Sequence, residues 1–382
     1  MHDELIQSAG EWRRDIHQHP ELDYDVLRTA DKVTSLLVEF GCDRVETGIG
    51  KSGVVGVVHG RNPQKGPNIA IRADMDALPI VEESGVAHAS TRQGMMHACG
   101  HDGHTAMLLG AAKALAAERH FDGTLVLIFQ PAEEGGGGAR AMIEDGLFDR
   151  FEIDEIYGLH NWPSLEIGRF MLSPGPVLMA SDRFTIELKG PGGHAARPHE
   201  CVDVVLASSQ LVSALHTIIP RNLDASEQAV LSVTSIHGGD AFNVLPGSIR
   251  LRGTVRTLSP HARDLCQSRV EELAEKLPQA FGAIGEVSYV RGYPPTINHA
   301  KQAKTLADAA ARLVGEEAVE RNMKALAASE DFSFFLEKKP GAFIFMGNGQ
   351  TAPLHHPRYD FNDEALPHGI ALWRELIQGG RS

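Results

Sequence analysis

The rhythm of apolar and polar positions changes several times along this 382-residue chain. Over residues 1–40 apolar side chains recur at helical spacing, in two runs split by the polar stretch "HQHPELD". The second run, Val26 to Phe40, stops at Gly41, a residue suited to ending a helix. Short, nearly continuous apolar runs follow: "GVVGVVHG", "PNIAIRAD", "GTLVLIFQP", "EIYGLHNW" and, far downstream, "GAFIFMGN". Their length and patterning predict strands buried on both faces. Helical runs alternate with them, notably His104–Glu118 and Gly138–Asp145. This alternation predicts an α/β domain, a mostly parallel central sheet with helices on its faces.

The middle of the chain reads differently. A strand "SDRFTIELKG" precedes a helix over Cys201–Ile219; strands "QAVLSVTSIHGG" and "GSIRLRGTVRT" come next. A helix over Arg263–Ala280 and a strand "GEVSYVRG" complete the set. The order β-α-β-β-α-β predicts a ferredoxin-like α+β unit. Its first and last strands bring the two chain ends close, which suits insertion into a host domain. The expected organisation is therefore 1–180 and 294–382 as two parts of one domain, with 181–293 inserted between them.

Composition narrows the function. The net charge of −14 argues against nucleic acid, whose phosphates favour a basic surface. No apolar run is long enough for a membrane span, so no membrane partner is expected. Four scattered cysteines do not make a disulfide framework. The first twenty residues are charged and amphipathic without the apolar centre of a signal peptide, and the expected compartment is the cytoplasm.

Chemistry-bearing residues collect at the ends of the expected strands. "AIRADMD" ends in Asp74 and Asp76, "VLIFQPAEE" in Glu133 and Glu134, and "IYGLH" in His160. "MMHACGHDGHTAM" places His97, Cys99, His101, Asp102 and His104 just before or at the start of a helix, and "TAPLHHPRYD" offers His355 and His356. Ligands in open α/β sheets bind beyond the carboxyl ends of the strands, so these residues are expected on one rim. Each alone has an ordinary structural reading; their recurrence at so many strand ends points to a shared site. Thiolate, imidazole and carboxylate together suit two divalent ions, zinc first, with manganese, cobalt or nickel as alternatives. Asp76 is placed to orient a ligand imidazole, and of two adjacent glutamates one can bind metal while the other moves a proton. A thiol nucleophile at Cys99 would leave the glutamates and the remote histidines without a task. "GIGKSG", Gly48 to Gly53, lacks the earlier glycine and the following helix of a phosphate loop.

The segments "RADMDALP", "HACGHDGHTAMLLGAA", "QPAEEGGGGA", "GLHNWP", "GPGGHAARPH", "NVLPGSIRLRGTVRT", "SEDFSFF" and "LHHPRYDFND" resemble, in order and over nearly the whole chain, the metal-dependent aminoacylase/carboxypeptidase family. The resemblance is to the branch of hippurate hydrolases, N-acyl-amino-acid amidohydrolases and auxin-conjugate hydrolases. It implies a metal bridge at Cys99, further ligands at His101, Glu134, His160 and His355, and a general base at Glu133. His355 rather than His356 falls on the family's L-H-x-P position. Many relatives outside this branch carry His-x-Asp where this chain has Asp74-Met75-Asp76, and an aspartate in place of Cys99. The resemblance also implies that the inserted domain is a lid and dimerisation domain, that His194 polarises the scissile carbonyl, and that Asn243 and Arg256 contact the substrate, the arginine at its carboxylate. The implied activity is hydrolysis of N-acyl amino acids by a homodimer or higher homo-oligomer. N-acetyl-diaminopimelate deacetylase or dipeptidase activity stands as the near alternative, and a non-catalytic metal-stabilised binding protein as the distant one.

Overall fold

The computed structural model describes residues 2–379 of the chain. Its contacts divide it into two compact units, one comprising Met1–Val177, Ile297–Lys324 and Asp331–Ser382, the other Leu178–Thr296 with Ala325–Glu330. The return of residues 325–330 to the second unit falls outside the 181–293 boundaries expected from sequence.

In the first unit, helices α1 (His2–Gln18) and α2 (Leu27–Glu39) precede strands β1 (Arg44–Ile49), β2 (Gly53–His59) and β3 (Asn68–Asp74). Helix α3 (His101–Glu118) leads to β4 (Thr124–Gln130), and the short α4 (Gly138–Glu144) and α5 (Leu147–Arg150) lead to β5 (Glu155–Trp162) and β6 (Phe170–Met171). The eight-stranded sheet is mixed. Its centre is parallel, with β3 flanked by β4 and β5. On one side of the sheet β1, at the edge, and β2, next to it, run antiparallel to their neighbours. Strand β1, half exposed along its length, escapes a search for apolar runs because it is an edge. "GIGKSG" forms the reversal between β1 and β2, with Lys51 at φ +81° and its ammonium 3.7 Å from the centre of the Tyr24 ring.

Helix α3 packs against β3 and α1, and its first twelve residues, His101 to Ala112, are all buried. A helix enclosed on all sides cannot show an amphipathic stripe. The structure starts it at His101, three residues before the expected His104, because Gly100 turns the chain with φ +94°. Its underside needs small residues: a Cβ on Gly103 would stand 2.4 Å from the Phe361 ring.

The second unit follows β7 (Gly175–Leu178) and contains β8 (Asp182–Lys189), β9 (Gly193–His194), α6 (Val204–Leu215), α7 (Ile218–Asn222), β10 (Ala229–His237), β11 (Val244–Leu245), β12 (Ser248–Thr257), α8 (Pro260–Lys276) and β13 (Ile284–Arg291). The four long strands form an antiparallel sheet in the order β10-β12-β8-β13, the ferredoxin-like order. Alternate residues of β8, Phe184, Ile186 and Leu188, enter a core with Val204, Leu211, Cys266 and Val270 of the helices. At the start of β8 the buried Asp182 accepts from Arg263, from the Tyr289 hydroxyl at 3.0 Å and from the Gly292 amide at 3.1 Å. After β14 (Thr296–Asn298), the first unit resumes with α9 (Ala300–Val314), β15 (Val319–Glu320), α10 (Ser333–Leu336), β16 (Gly341–Gly347) and α11 (Leu366–Gln378). Strand β16 lies parallel to β5 and completes the central parallel group. Among the described residues, no helix is long and apolar enough to cross a membrane.

An ion pair clamps α1 to α3. His17 Nδ1 lies 2.8 Å from Asp102 Oδ2 and His17 Nε2 lies 3.2 Å from Glu82 Oε1. Burial opposes the imidazolium, but Asp102 and Glu82 outweigh it and raise His17 to about 9 from 6.5. A raised pKa contributes stability that is complete below the unfolded-state value and lost as pH rises through the folded one. Denaturant unfolding of the metal-free protein should show a stability advantage of wild type over His17→Asn on the order of 3 kcal/mol near pH 6, vanishing above about pH 9. An advantage that does not change with pH would show that the pair is not ionic.

Candidate metal centre

The parallel order of β4, β3, β5 and β16 brings four carboxyl ends to one edge of the sheet. Asp74 closes β3; Glu133 and Glu134 follow β4; His160 lies near the end of β5; His355 is in the loop after β16. Cys99 and His101 stand at the start of α3, against β3. Donor atoms of Cys99, His101 and His160 lie within 4.8 Å of one another, as do those of Cys99, Glu134 and His355, and those of His101, Glu133 and Glu134. The five implied ligands and the implied base Glu133 thus form linked clusters.

The two buried imidazoles are oriented alike. His160 Nδ1 lies 2.6 Å from the backbone carbonyl of Asn161, and His101 Nδ1 lies 2.8 Å from that of Asp76. A carbonyl oxygen only accepts, so each Nδ1 carries the proton, and each Nε2 is the ring nitrogen left to serve as a donor to metal. His160 Nε2 faces Cys99 Sγ at 3.3 Å. His101 Nε2 is buried with no hydrogen-bond partner among the described residues. Glu134 Oε1 lies 3.2 Å from His355 Nε2. His355 holds φ +62°, uncommon for a residue with a Cβ, and its amide donates to the Ala98 carbonyl at 2.8 Å, which ties its loop to that of Cys99. Ala132, just before the glutamates, also has a positive φ, +55°. His356 accepts the Arg358 amide at 3.1 Å and so serves its own turn.

Asp76 does more than the sequence suggested. Its two carboxylate oxygens accept the backbone amides of Glu133 at 3.0 Å and Glu134 at 2.9 Å. The imidazole of His101 takes the Asp76 main-chain carbonyl, with the carboxylate 3.5 Å away. One residue thereby positions both the glutamate pair and a histidine.

The other histidines of the stretch are buried as well. His104 Nδ1 lies 2.7 Å from Asp74 Oδ1, and its Nε2 accepts the Asn161 amide at 3.1 Å. His97 is fully buried with neither ring nitrogen hydrogen-bonded among the described residues, and burial lowers it to about 3. Asp74 is held well below the usual carboxylate range; burial opposes its charge, and Arg72, His101 and His104 more than offset this. Arg72 reaches Asp74 at 2.6 Å and Asp331 at 3.0 Å, a buried pairing across distant segments that no local motif signals.

These surroundings fit cations. Burial and the charges of Glu134, Glu133 and Asp74 push the Cys99 thiol well above its usual range. Burial disfavours a charged His101, yet Asp74, Asp76 and Glu134 raise it to about 10. Burial keeps His160 far below its ordinary value, so its lone pair is free. The carboxylates that raise His101, and add to the burial that raises Cys99, make the surroundings of these groups negative, and a divalent cation would displace protons from such ligands.

In the second unit, β9 pairs with β11, setting His194 opposite Val244, and the Ala195 amide donates to the Asn243 carbonyl at 3.0 Å. His194 and Asn243 are both exposed and adjacent. Arg256 lies on β12 opposite Val230, its guanidinium engaged with Thr254 and, at 3.2 Å, with the Val255 carbonyl.

The chain is 40% identical to the hippurate hydrolase of Campylobacter jejuni over 98% of its length and 97% of the relative's. It is 38% identical to an N-acetylcysteine deacetylase of Bacillus subtilis, covering 95% and 94% of the two chains. Among solved structures it resembles the YXEP protein of Bacillus subtilis, described as a dinuclear metal-binding peptidase of the M20 family, with a TM-score of 0.86, 34% identity and 98% of each chain covered. Residues 70–379 match the model of peptidase family M20/M25/M40, and the chain belongs to that family.

Proposed function

We propose that this chain is a metal-dependent amidohydrolase that cleaves the linear amide of N-acyl amino acids, releasing a carboxylic acid and an amino acid. The observation that carries the reading is the convergence of the His101 and His160 imidazoles, each with Nδ1 committed to a backbone carbonyl, on Cys99 beside Glu133 and Glu134. The names of the hippurate hydrolase and N-acetylcysteine deacetylase relatives support this substrate class.

In this reading Cys99, His101, Glu134, His160 and His355 would hold two divalent ions. When bound, such ions supply Lewis acidity and lower the pKa of water. The mixed thiolate, imidazole and carboxylate set favours zinc, with manganese, cobalt or nickel as alternatives. Glu133 removes a proton from the attacking water as the new C–O bond forms, then delivers it to the nitrogen as the C–N bond breaks. His194 hydrogen-bonds the oxygen on which negative charge develops, and Asn243 and Arg256 hold the amino-acid portion, the guanidinium on its carboxylate. The inserted domain serves as lid and as the contact of a homodimer, and the expected compartment is the cytoplasm. A non-catalytic metal-binding role would not call for a second glutamate beside the ligand Glu134.

Incubation with a panel that includes hippurate and N-acetylcysteine, with and without chelator, tests the activity. The expected result is amide cleavage that chelation abolishes and divalent metal restores; no cleavage by fully metallated protein, or cleavage indifferent to chelation, would refute it. Glu133→Ala should retain bound metal and lose roughly 10²–10⁴-fold in turnover, the usual contribution of general acid–base catalysis. Near-normal turnover would remove Glu133 from the mechanism. Metal analysis of Cys99 variants gives a separate check. Cys99→Ser should lose metal, whereas Cys99→Asp, which restores an anionic oxygen donor, should retain more. A full metal complement in Cys99→Ser would overturn the bridging role.

A further inference from the structure

Asn161 follows His160 on β5 and is fully buried. Its main-chain carbonyl accepts the His160 Nδ1 proton at 2.6 Å, and its amide donates to His104 Nε2 at 3.1 Å. Its side-chain Nδ2 donates to the backbone carbonyl of Cys99 at 2.7 Å and lies 3.1 Å from His104 Nε2. Its Oδ1 accepts the Tyr359 hydroxyl at 2.5 Å. These bonds join three segments that are far apart in sequence: the Cys99 loop, the end of β5, and the loop that carries His355 and, four residues later, Tyr359.

The neighbours are built around this residue. A Cβ on Gly100 would stand 2.2 Å from Asn161 Nδ2 and 2.6 Å from the Tyr359 hydroxyl, so only glycine admits the contact. Asp74 holds the proton of His104 on Nδ1, which leaves Nε2 as an acceptor for the Asn161 amide. The side chain at this position must donate toward Cys99 and accept from Tyr359. An amide does both, whereas an aspartate would set a carboxylate oxygen against the Cys99 carbonyl.

We propose that Asn161 is a positioning residue for the metal centre, fixing the mutual placement of Cys99, His160 and the His355 loop so that their donor atoms converge before an ion arrives. The proposal rests on the reading of those three residues as ligands. Groups that orient metal ligands commonly change affinity by about 10–100-fold when removed.

The test compares metal-free wild type, Asn161→Ala and Tyr359→Phe. Zinc affinity is measured by competition with a chromophoric chelator, and ligand geometry by the visible absorption of the cobalt(II)-loaded protein. Thermal unfolding of each metal-free protein sets a measuring temperature at which it is folded. Asn161→Ala should bind zinc about 10–100-fold more weakly and show an altered cobalt spectrum. Tyr359→Phe, which removes one hydroxyl and its bond to Asn161, should weaken zinc by a smaller factor in the same direction. Wild-type affinity and an unchanged spectrum in folded Asn161→Ala would overturn the proposal. If that variant does not fold, unchanged affinity in Tyr359→Phe would overturn it. Failure of wild type to bind zinc or cobalt at all would overturn the ligand assignment itself, and this proposal with it.

Discussion

Negative charge confined at the edge of one buried sheet is the constraint on which the rest of the structure depends. Asp74, Asp76 and Glu133 are buried close to Cys99 and to the partly buried Glu134. Uncompensated, such a cluster is strongly unfavourable. The fold compensates part of it. Arg72 neutralises Asp74, two backbone amides satisfy Asp76, and the His101 imidazole sits among the remaining carboxylates. The carboxylates of Glu133 and Glu134 beside the Cys99 thiol and two imidazoles give the site the electrostatic character of a cation site.

The same constraint explains why the surrounding scaffold is polar where a core is ordinarily apolar. Asp331 accepts Arg72 at 3.0 Å, Gln130 at 2.8 Å and the Ala139 amide at 2.9 Å, tying β3, β4 and the start of α4 together behind the glutamates. Buried networks of this kind are worthwhile only when every member is satisfied, because an unpaired buried charge costs several kcal/mol. Positive-φ backbone, at Gly100 and, less commonly for residues with a Cβ, at Ala132 and His355, occurs at the turns that aim the chemistry-bearing residues. Hydrogen bonds such as His355 to Ala98 hold those turns in place.

Much of this was legible in the residues, for identifiable reasons. The buried strands are dense apolar runs, and the inserted unit shows its β-α-β-β-α-β order in the succession of its segments, so both architectures could be read along the chain. The strand ends carried Glu133, Glu134 and His160 in view, and parallel order then puts such ends on one rim. Less was legible where a residue acts through its main chain or through a partner distant in sequence. Asp76 was expected to orient an imidazole with its carboxylate; that carboxylate holds the glutamate amides, and the carbonyl holds His101. Asn161 reads as an ordinary polar residue at a strand end, and its adjacency to His160 was the one available clue. His97 and His104 share a motif with Cys99 and His101, but only the fold separates the ones that face the cluster from those that pack behind it. The half-exposed β1 and the two-residue strands β6 and β15 are too exposed or too short to leave a pattern.

X-ray absorption at the zinc edge, combined with metal analysis of the zinc-loaded protein, tests the central claim most directly. The account predicts two zinc ions per chain and a sulfur scatterer at about 2.3 Å, the usual zinc–thiolate distance, that disappears in Cys99→Asp while nitrogen and oxygen scatterers remain. A wild-type protein whose bound zinc has only nitrogen and oxygen neighbours, or a sulfur signal that survives in Cys99→Asp, would contradict it.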